Sequence, residues 1–301
     1  MNKICYVPKR FNRGSMIIID RANEIFEEYR KQGFDLTVRQ LFYQFVSRDY
    51  IANKDSEYKR LGTIISDARL AGLIDWEIIV DRTRNLRQNS HWDDPADIII
   101  SAAHSFAVDK WSDQPFRPEV WIEKDALVGI LEAACEPLDV PFFSCRGYTS
   151  ISEMWSAAQR LLGYQDRKQK PVIFHLGDHD PSGIDMSRDI QDRLETFGVK
   201  VEFHRIALNM NQVREYKPPP KPAKATDARF SDYESQYGSE CWELDALDPV
   251  TLTRLIQDRI KDVRKERKWK LRVREEEDGK EKIAMAGLRW DEVCEFLEGG
   301  A

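Results

Sequence analysis

No apolar run in this chain approaches the roughly 20 residues that a membrane-crossing helix needs. The longest lie around Ile17–Ile19 and Ile98–Ile100. The opening Met-Asn-Lys-Ile-Cys lacks the charged, apolar and small-residue segments of a secretory signal, so neither export nor membrane insertion is expected. Cysteine is scarce. Cys5, Cys135, Cys145, Cys241 and Cys294 are far apart, odd in number and without a C-x-x-C pair. That excludes a disulfide framework and a cysteine zinc site, and it points to a reducing compartment, the cytoplasm. G-x-G-x-x-G and P-loop motifs are also missing, so neither device for holding ATP is present.

What the chain does have is charge and length. Its 301 residues are 42% hydrophobic and 33% charged, with a mean hydropathy of −0.58. This composition predicts a well-solvated protein of two or three compact units. The net charge of −6 hides an asymmetry, because residues 1–90 carry 16 Lys and Arg against 12 Asp and Glu. A basic first part joined to an acidic remainder suits nucleic-acid contact beside a carboxylate-lined metal site.

Helical spacing of Ile18, Ala22, Ile25, Phe26 and Tyr29 predicts a helix over 15–32, ended by Gly33. Helices over about 37–49 and 57–71 follow, then a strand-like run Ile74–Asp81 and a polar turn at Arg82-Thr-Arg84. Three helices, a strand and a turn predict a winged helix-turn-helix in residues 1–92. A further helix is expected over 95–110. From Pro118 strands alternate with helices: strand-like Val120–Glu123, Val140–Phe143, Pro171–Leu176 and Val199–His204, with helices over 124–135, 150–163 and 182–197. The alternation predicts an α/β unit over 93–210, a parallel sheet covered by helices on both faces. Pro218–Pro222 reads as a stiff connector opening a C-terminal helical extension over 211–301. In it Trp242–Leu247 and Leu252–Val263 read as helical, and 264–274 hold seven Lys and Arg against one Glu. That basic run is a solvated helix face or a DNA contact.

The strongest local signal is Leu176-Gly-Asp178-His-Asp180-Pro-Ser-Gly183, between a strand and a helix. Ligands of open α/β sheets bind at the carboxyl ends of strands. Asp178 and Asp180 there, with Glu123 ending an earlier strand, can offer oxygens to Mg²⁺, a hard cation. The plainer alternative is that the aspartates cap the next helix. His175 and His179 lack the helical spacing of a zinc pair and read as structural. In Thr37–Ser47, Val38, Leu41, Phe42, Phe45 and Val46 form one apolar stripe at about 100° per residue. Tyr43 falls outside it with Arg39. A phenol of pKa about 10 needs a neighbouring cation, base or metal to act as a nucleophile. Arg39 is a candidate phosphate clamp that would favour the phenolate. Lys59, Arg60 and Arg69 make the third helix basic, and with Lys124 they are the expected DNA-phosphate contacts.

Taken with Arg146-Gly147-Tyr148, the motif Glu123…Asp178-His-Asp180-Pro-Ser-Gly183 resembles the Toprim domain. The form is similar to that of topoisomerase VI A subunits and the related meiotic double-strand-break transesterase. In that family a winged helix precedes Toprim and carries the catalytic tyrosine in a stretch like T-x-R-[DE]-[IVL]-[FY]-Y. Thr37-Val-Arg39-Gln40-Leu41-Phe42-Tyr43 resembles it, with Gln40 in place of the acidic residue. Thr149-Ser150 stands where Pro-Asp often follows Gly-Tyr. The likeness spans about residues 15–210, and the chain is similar to short stand-alone A-subunit-like proteins.

The resemblance implies Mg²⁺-dependent cleavage and religation of double-stranded DNA in the nucleoid. Tyr43 would attack a phosphodiester, release a 3′-hydroxyl and keep a 5′-phosphotyrosyl link, while Glu123, Asp178 and Asp180 hold Mg²⁺. It implies a homodimer whose sites combine one protomer's tyrosine with the other's carboxylates. Strand passage would need a separate ATPase subunit of B type. Two rival expectations are a Toprim-type nuclease using metal-activated water and a non-catalytic winged-helix DNA-binding protein.

Overall fold

The structure, a computed structural model, describes residues 3–79 and 89–299. Helix α1 (Arg13–Lys31) starts where Asn12 Oδ1 accepts the Ser15 N–H at 2.8 Å, and it buries Ile18, Ile19, Ala22, Ile25, Phe26 and Tyr29. Helix α2 (Val38–Ser47) opens with a reciprocal cap. The Gln40 N–H donates to Thr37 Oγ1 at 3.2 Å, and the Thr37 N–H donates to Gln40 Oε1 at 2.9 Å. Gln40 therefore has a structural task, its side chain satisfying the Thr37 N–H while Thr37 satisfies the Gln40 N–H. Helix α3 (Asp55–Leu70) adds Leu61, Ile65 and Ala68, and the three helices enclose one core.

The strand expected from Ile74 does not form in the described residues. Residues 74–79 make a single bridge, Leu36 to Ile79. Ile74 and Ile78 both point into the three-helix core, and between them Asp75 accepts the Glu77 N–H at 3.0 Å and pairs with Arg30 at 2.6 Å. Consecutive burial of Ile74 and Asp75, with the Asp75 side chain accepting the N–H two residues on, makes a bend in place of the alternation of a half-exposed strand. The turn at Arg82–Arg84 lies outside the described residues.

Helix α4 (Pro95–Ser105) is shorter than expected, because Phe106 turns to an extended ψ of 125°. The alternating region follows as β1 (Phe116–Ile122), α5 (Val128–Cys135), β2 (Phe142–Ser144), α6 (Ile151–Asp166), β3 (Lys170–Leu176), α7 (Pro181–Thr196) and β4 (Glu202–Ala207). The strands form one parallel sheet in the order β2-β1-β3-β4. Val120, Ile122, Val172, Phe174 and Leu176 face α5, whereas Trp121 and Ile173 face α6 and α7. Both faces are covered, so the strands read as nearly unbroken hydrophobic runs.

The remaining chain forms α8 (Met210–Tyr216), β5 (Lys221–Pro222), α9 (Phe230–Tyr237), β6 (Glu240–Cys241), a tight turn at Leu244–Ala246, α10 (Pro249–Val263), α11 (Glu266–Leu288) and α12 (Trp290–Gly299). The Pro-rich segment is more than a connector, since Lys221 and Pro222 pair antiparallel with Cys241 and Glu240. Nor does the extension stand apart. Leu244, Leu247, Leu252, Ile256 and Ile260 lie in the same core as Val120 and Phe174, while Ala246 belongs to the three-helix core. The turn at Leu244–Ala246 thus joins the two halves of the molecule.

Candidate functional site

Strands β1 and β3 pair in register from Phe116–Lys170 to Ile122–Leu176, so the residues after them emerge side by side. Glu123 Oε2 accepts the Asp178 N–H at 2.9 Å. Lys124 Nζ lies 2.9 Å from Asp178 Oδ1 and 3.0 Å from Asp245 Oδ1, and it also bonds Glu243. Asp178 Oδ1 further accepts the Leu244 N–H at 2.7 Å. Two glycines make this packing possible. A Cβ on Gly177 would sit 3.0 Å from Glu123 Oε2, and one on Gly183 would sit 2.3 Å from the Asp178 carbonyl oxygen. Beneath the loop, Arg205 donates to the carbonyls of Gly177 and Gly183, each at 2.9 Å, and to Ser187 Oγ at 2.8 Å. Burial lowers the pKa of Arg205, although Glu123, Asp178 and Asp180 all favour its charge.

The expected carboxylates Glu123, Asp178 and Asp180 share this loop, but they do not close on one point. Asp180 caps α7, its Oδ1 accepting the Gly183 N–H at 2.6 Å and the Ser182 hydroxyl at 3.0 Å. The capping alternative holds for Asp180. Among the described residues, the carboxylates with ligand atoms within 4.8 Å of one another are Asp178, Glu243 and Asp245, a set that could hold a metal ion. Glu243 and Asp245 escaped the sequence reading. Their one signal was the spacing Glu243-Leu-Asp245, which repeats that of Asp178-His-Asp180. Oxygen donors of this kind suit a hard cation, and here they are paired with Lys124, Arg39 and Lys221.

Electrostatics follow the crowding. Burial raises the pKa of Glu123, and its effect is opposed by the Asp178 N–H and by Lys124. Burial also raises Asp178, against the pull of Lys124. For Glu243 burial acts in the same direction, but Lys124 and Lys221 prevail and hold it below the usual carboxylate range. Burial opposes the charge of Lys124, yet Asp178, Asp245 and Glu243 keep its pKa above that of a free lysine. Lys124, expected to meet a DNA phosphate, has a side chain 16% exposed and is engaged here by these three carboxylates of its own chain.

Tyr43 departs from the helical-wheel expectation. It is 2% exposed, because α2 packs on α1 and α3 on one side and on the Leu244–Ala246 turn on the other. A wheel drawn for one core could not show the second contact. Arg39 Nη2 is 3.5 Å from Tyr43 Oη, while Arg39 Nε donates to Asp245 Oδ2 at 2.7 Å and Nη2 to Glu243 Oε2 at 3.0 Å. The Tyr43 pKa is pushed up to about 12, first by burial and then by Asp245 and Glu243, with Arg39 and Lys221 working against them. The expected easing of Tyr43 towards phenolate by Arg39 is therefore outweighed. Tyr43 lies beside carboxylates of its own chain, with Arg39 between them.

The basic face of α3 divides. Lys59 is exposed, and Arg60 is exposed while pairing with Glu57 at 2.6 Å. Arg69 turns inward, donating to the Trp76 carbonyl at 2.6 Å with its guanidinium 4.7 Å from the Trp76 ring centre. Arg146 is exposed beside Asp125, and Tyr148 Oη donates to Asp185 Oδ2 at 2.5 Å. Both histidines are internal. His175 Nδ1 lies 3.0 Å from Ser187 Oγ, and His179 Nδ1 lies 2.8 Å from Tyr233 Oη.

Compared with known protein families and with curated proteins, the chain matches none.

Proposed function

We propose that the protein cleaves and rejoins double-stranded DNA by tyrosyl transesterification, in the manner of a topoisomerase VI A subunit, with Mg²⁺ as cofactor. The observation that carries the reading is a juxtaposition. Tyr43 and Arg39 of α2 meet Asp178, Glu243 and Asp245 in one cluster at the carboxyl ends of β1 and β3. A winged-helix reading of α1–α3 and a Toprim reading of the sheet are part of the proposal.

In this reading Arg39 holds a phosphate oxygen, and its planar fork suits that role. The Tyr43 oxygen attacks phosphorus, the bond to the 3′ oxygen breaks, and a 3′-hydroxyl leaves. Arg39 and Lys221 are the cations that favour loss of the phenol proton. Asp178 would hold Mg²⁺ with Glu123 and Asp180 only once those two side chains turn toward it, since the three do not close on one point here; each has one oxygen committed to a backbone N–H and the other without a partner among the described residues. The metal, when bound, would neutralise phosphate charge and stabilise the leaving oxygen. The phosphotyrosyl link conserves the energy of the broken bond, so religation needs no nucleotide. Two copies would cut two strands, each with the tyrosine and carboxylates of its own chain and not with the shared site that the resemblance implies, and ATP-driven strand passage would fall to a separate subunit.

A second reading has its own support. The burial of Tyr43 and its raised pKa suit a Toprim-type nuclease in which metal-activated water attacks and Tyr43 is structural. End-labelled duplex incubated with protein and Mg²⁺, then run on a denaturing gel with and without protease, separates the two. Protease-sensitive retention of a 3′ end label supports the transesterase, because the protein is joined to the new 5′ end of the fragment that carries that label. Free, protein-less fragments support the nuclease.

A further inference from the structure

The carboxylate of Glu243 is gripped by three cations from three parts of the chain. Arg39 Nη2 of α2 is 3.0 Å from its Oε2, Lys124 at the end of β1 bonds the same oxygen, and Lys221 of β5 bonds Oε1. No other carboxylate of the cluster is held so. Asp178 has Lys124, and Asp245 has Lys124 and Arg39. Three cations face three carboxylates, so the cluster is neutral only while Glu243 is in place. The Glu243 side chain is also the one nearest solvent, 17% exposed against 8% for Asp178 and 1% for Asp245. It is the member a ligand from solvent would meet first.

We propose that Glu243 occupies, as an internal anion, the binding place of a nucleic-acid phosphate on Arg39, Lys124 and Lys221. This deepens the reading given above and assigns Lys221 to phosphate contact. The chemistry of exchange is conservative, since a phosphodiester brings the same single negative charge and the same pair of oxygens to the Arg39 fork. It also accounts for Tyr43. The phenol is 2% exposed while the carboxylate sits beside Arg39, and a phosphate taking that place would arrive next to the phenol oxygen. Glu243 would then discriminate against small or isolated anions, because a ligand must outcompete a tethered carboxylate whose effective concentration is high.

The test uses the full chain in EDTA, so that metal binding does not enter. Duplex affinity is measured for wild type, Glu243→Gln, and Glu240→Gln as a control with the same charge change three residues away, at the exposed residue of β6. Glu243→Gln should bind more than about threefold tighter than the control, and adding Lys221→Ala should remove the gain. Inorganic phosphate should raise the Tm of Glu243→Gln more than that of wild type, a readout that stands even if DNA is not the ligand. Equal affinities for the two Gln variants, with no phosphate effect on Tm, would overturn the proposal. So would loss of Mn²⁺ binding in Glu243→Gln, titrated separately without EDTA, which would make Glu243 a metal ligand. If no variant binds duplex but phosphate still stabilises Glu243→Gln, the DNA reading falls and the anion site remains.

Discussion

Lys124 Nζ sits 2.9 Å from Asp178 Oδ1 while the preceding residue, Glu123, accepts the Asp178 backbone N–H at 2.9 Å. Two consecutive residues at the end of β1 thus hold one aspartate at the end of β3, one by charge and one by hydrogen bond. The parallel register Ile122–Leu176 makes the grip possible. It fixes the site's central carboxylate before any ligand arrives, the kind of preorganisation that lets electrostatic groups act without moving.

Asp178→Asn and Asp180→Asn should both abolish Mg²⁺-dependent cleavage, for different structural reasons. Asp178→Asn keeps an acceptor for the Leu244 N–H but removes the charge facing Lys124, at a cost of about 1–3 kcal/mol. Asp180→Asn keeps the α7 cap, since Asn caps as well as Asp, whereas Asp180→Ala should lose about 1 kcal/mol. Urea unfolding beside a cleavage assay checks both. Wild-type cleavage by both Asn variants would remove the carboxylates from the metal site.

On α3, replacing Lys59 and Arg60 by Ala should weaken duplex binding alike for all sequences and flatten its salt dependence. Arg69→Ala should instead cost stability, about 1.5–3 kcal/mol for a charge-assisted hydrogen bond to the Trp76 carbonyl, and leave the salt slope unchanged. Titration of binding at several salt concentrations, with a melt of each variant, distinguishes the two classes.

Glu276 of α11 accepts the Val108 N–H at 3.1 Å, pairs with Lys280 at 2.8 Å and bonds Lys110. Burial would raise its pKa, but Lys110 and Lys280 lower it from 4.5 to about 2. Because the folded-state value lies below the unfolded one, the stabilisation is fully present above about 4.5 and is lost as pH falls through about 2. Glu276→Gln should therefore lower stability at pH 7 and show a shallower loss of stability on acidification between pH 5 and 2. Parallel curves for the two proteins would show that Glu276 contributes nothing by its charge.

The sheet was legible because β1 and β3 are hydrophobic on both faces and are broken by polar, glycine-bearing loops. The three helices were legible from their apolar stripes and from caps such as Thr37. The strand after Ile74 was misread because a short run of isoleucines looks the same whether it pairs or plugs a core. Tyr43 was misread for a related reason. A wheel shows one stripe, and the second contact comes from Leu244–Ala246, some 200 residues further along the chain. Glu243 and Asp245 were hidden by the same separation, since nothing local marks a carboxylate pair that folds back over a distant strand end.

Tyr43→Phe should keep the fold, because the phenol oxygen lies 3.5 Å from Arg39 Nη2 and is otherwise bonded to Lys221, and losing these contacts should cost about 1 kcal/mol. The decisive measurement is where DNA becomes attached. Protein incubated with duplex and Mg²⁺, denatured, treated with nuclease and digested with trypsin, yields a peptide spanning Gln40–Arg48 that contains Tyr43 as its one tyrosine. Mass spectrometry should find a nucleotide on that peptide in wild type and none in Tyr43→Phe. DNA cleavage at wild-type rate by the Phe variant, with Gln40–Arg48 unmodified in both proteins, would contradict the account and make water the nucleophile.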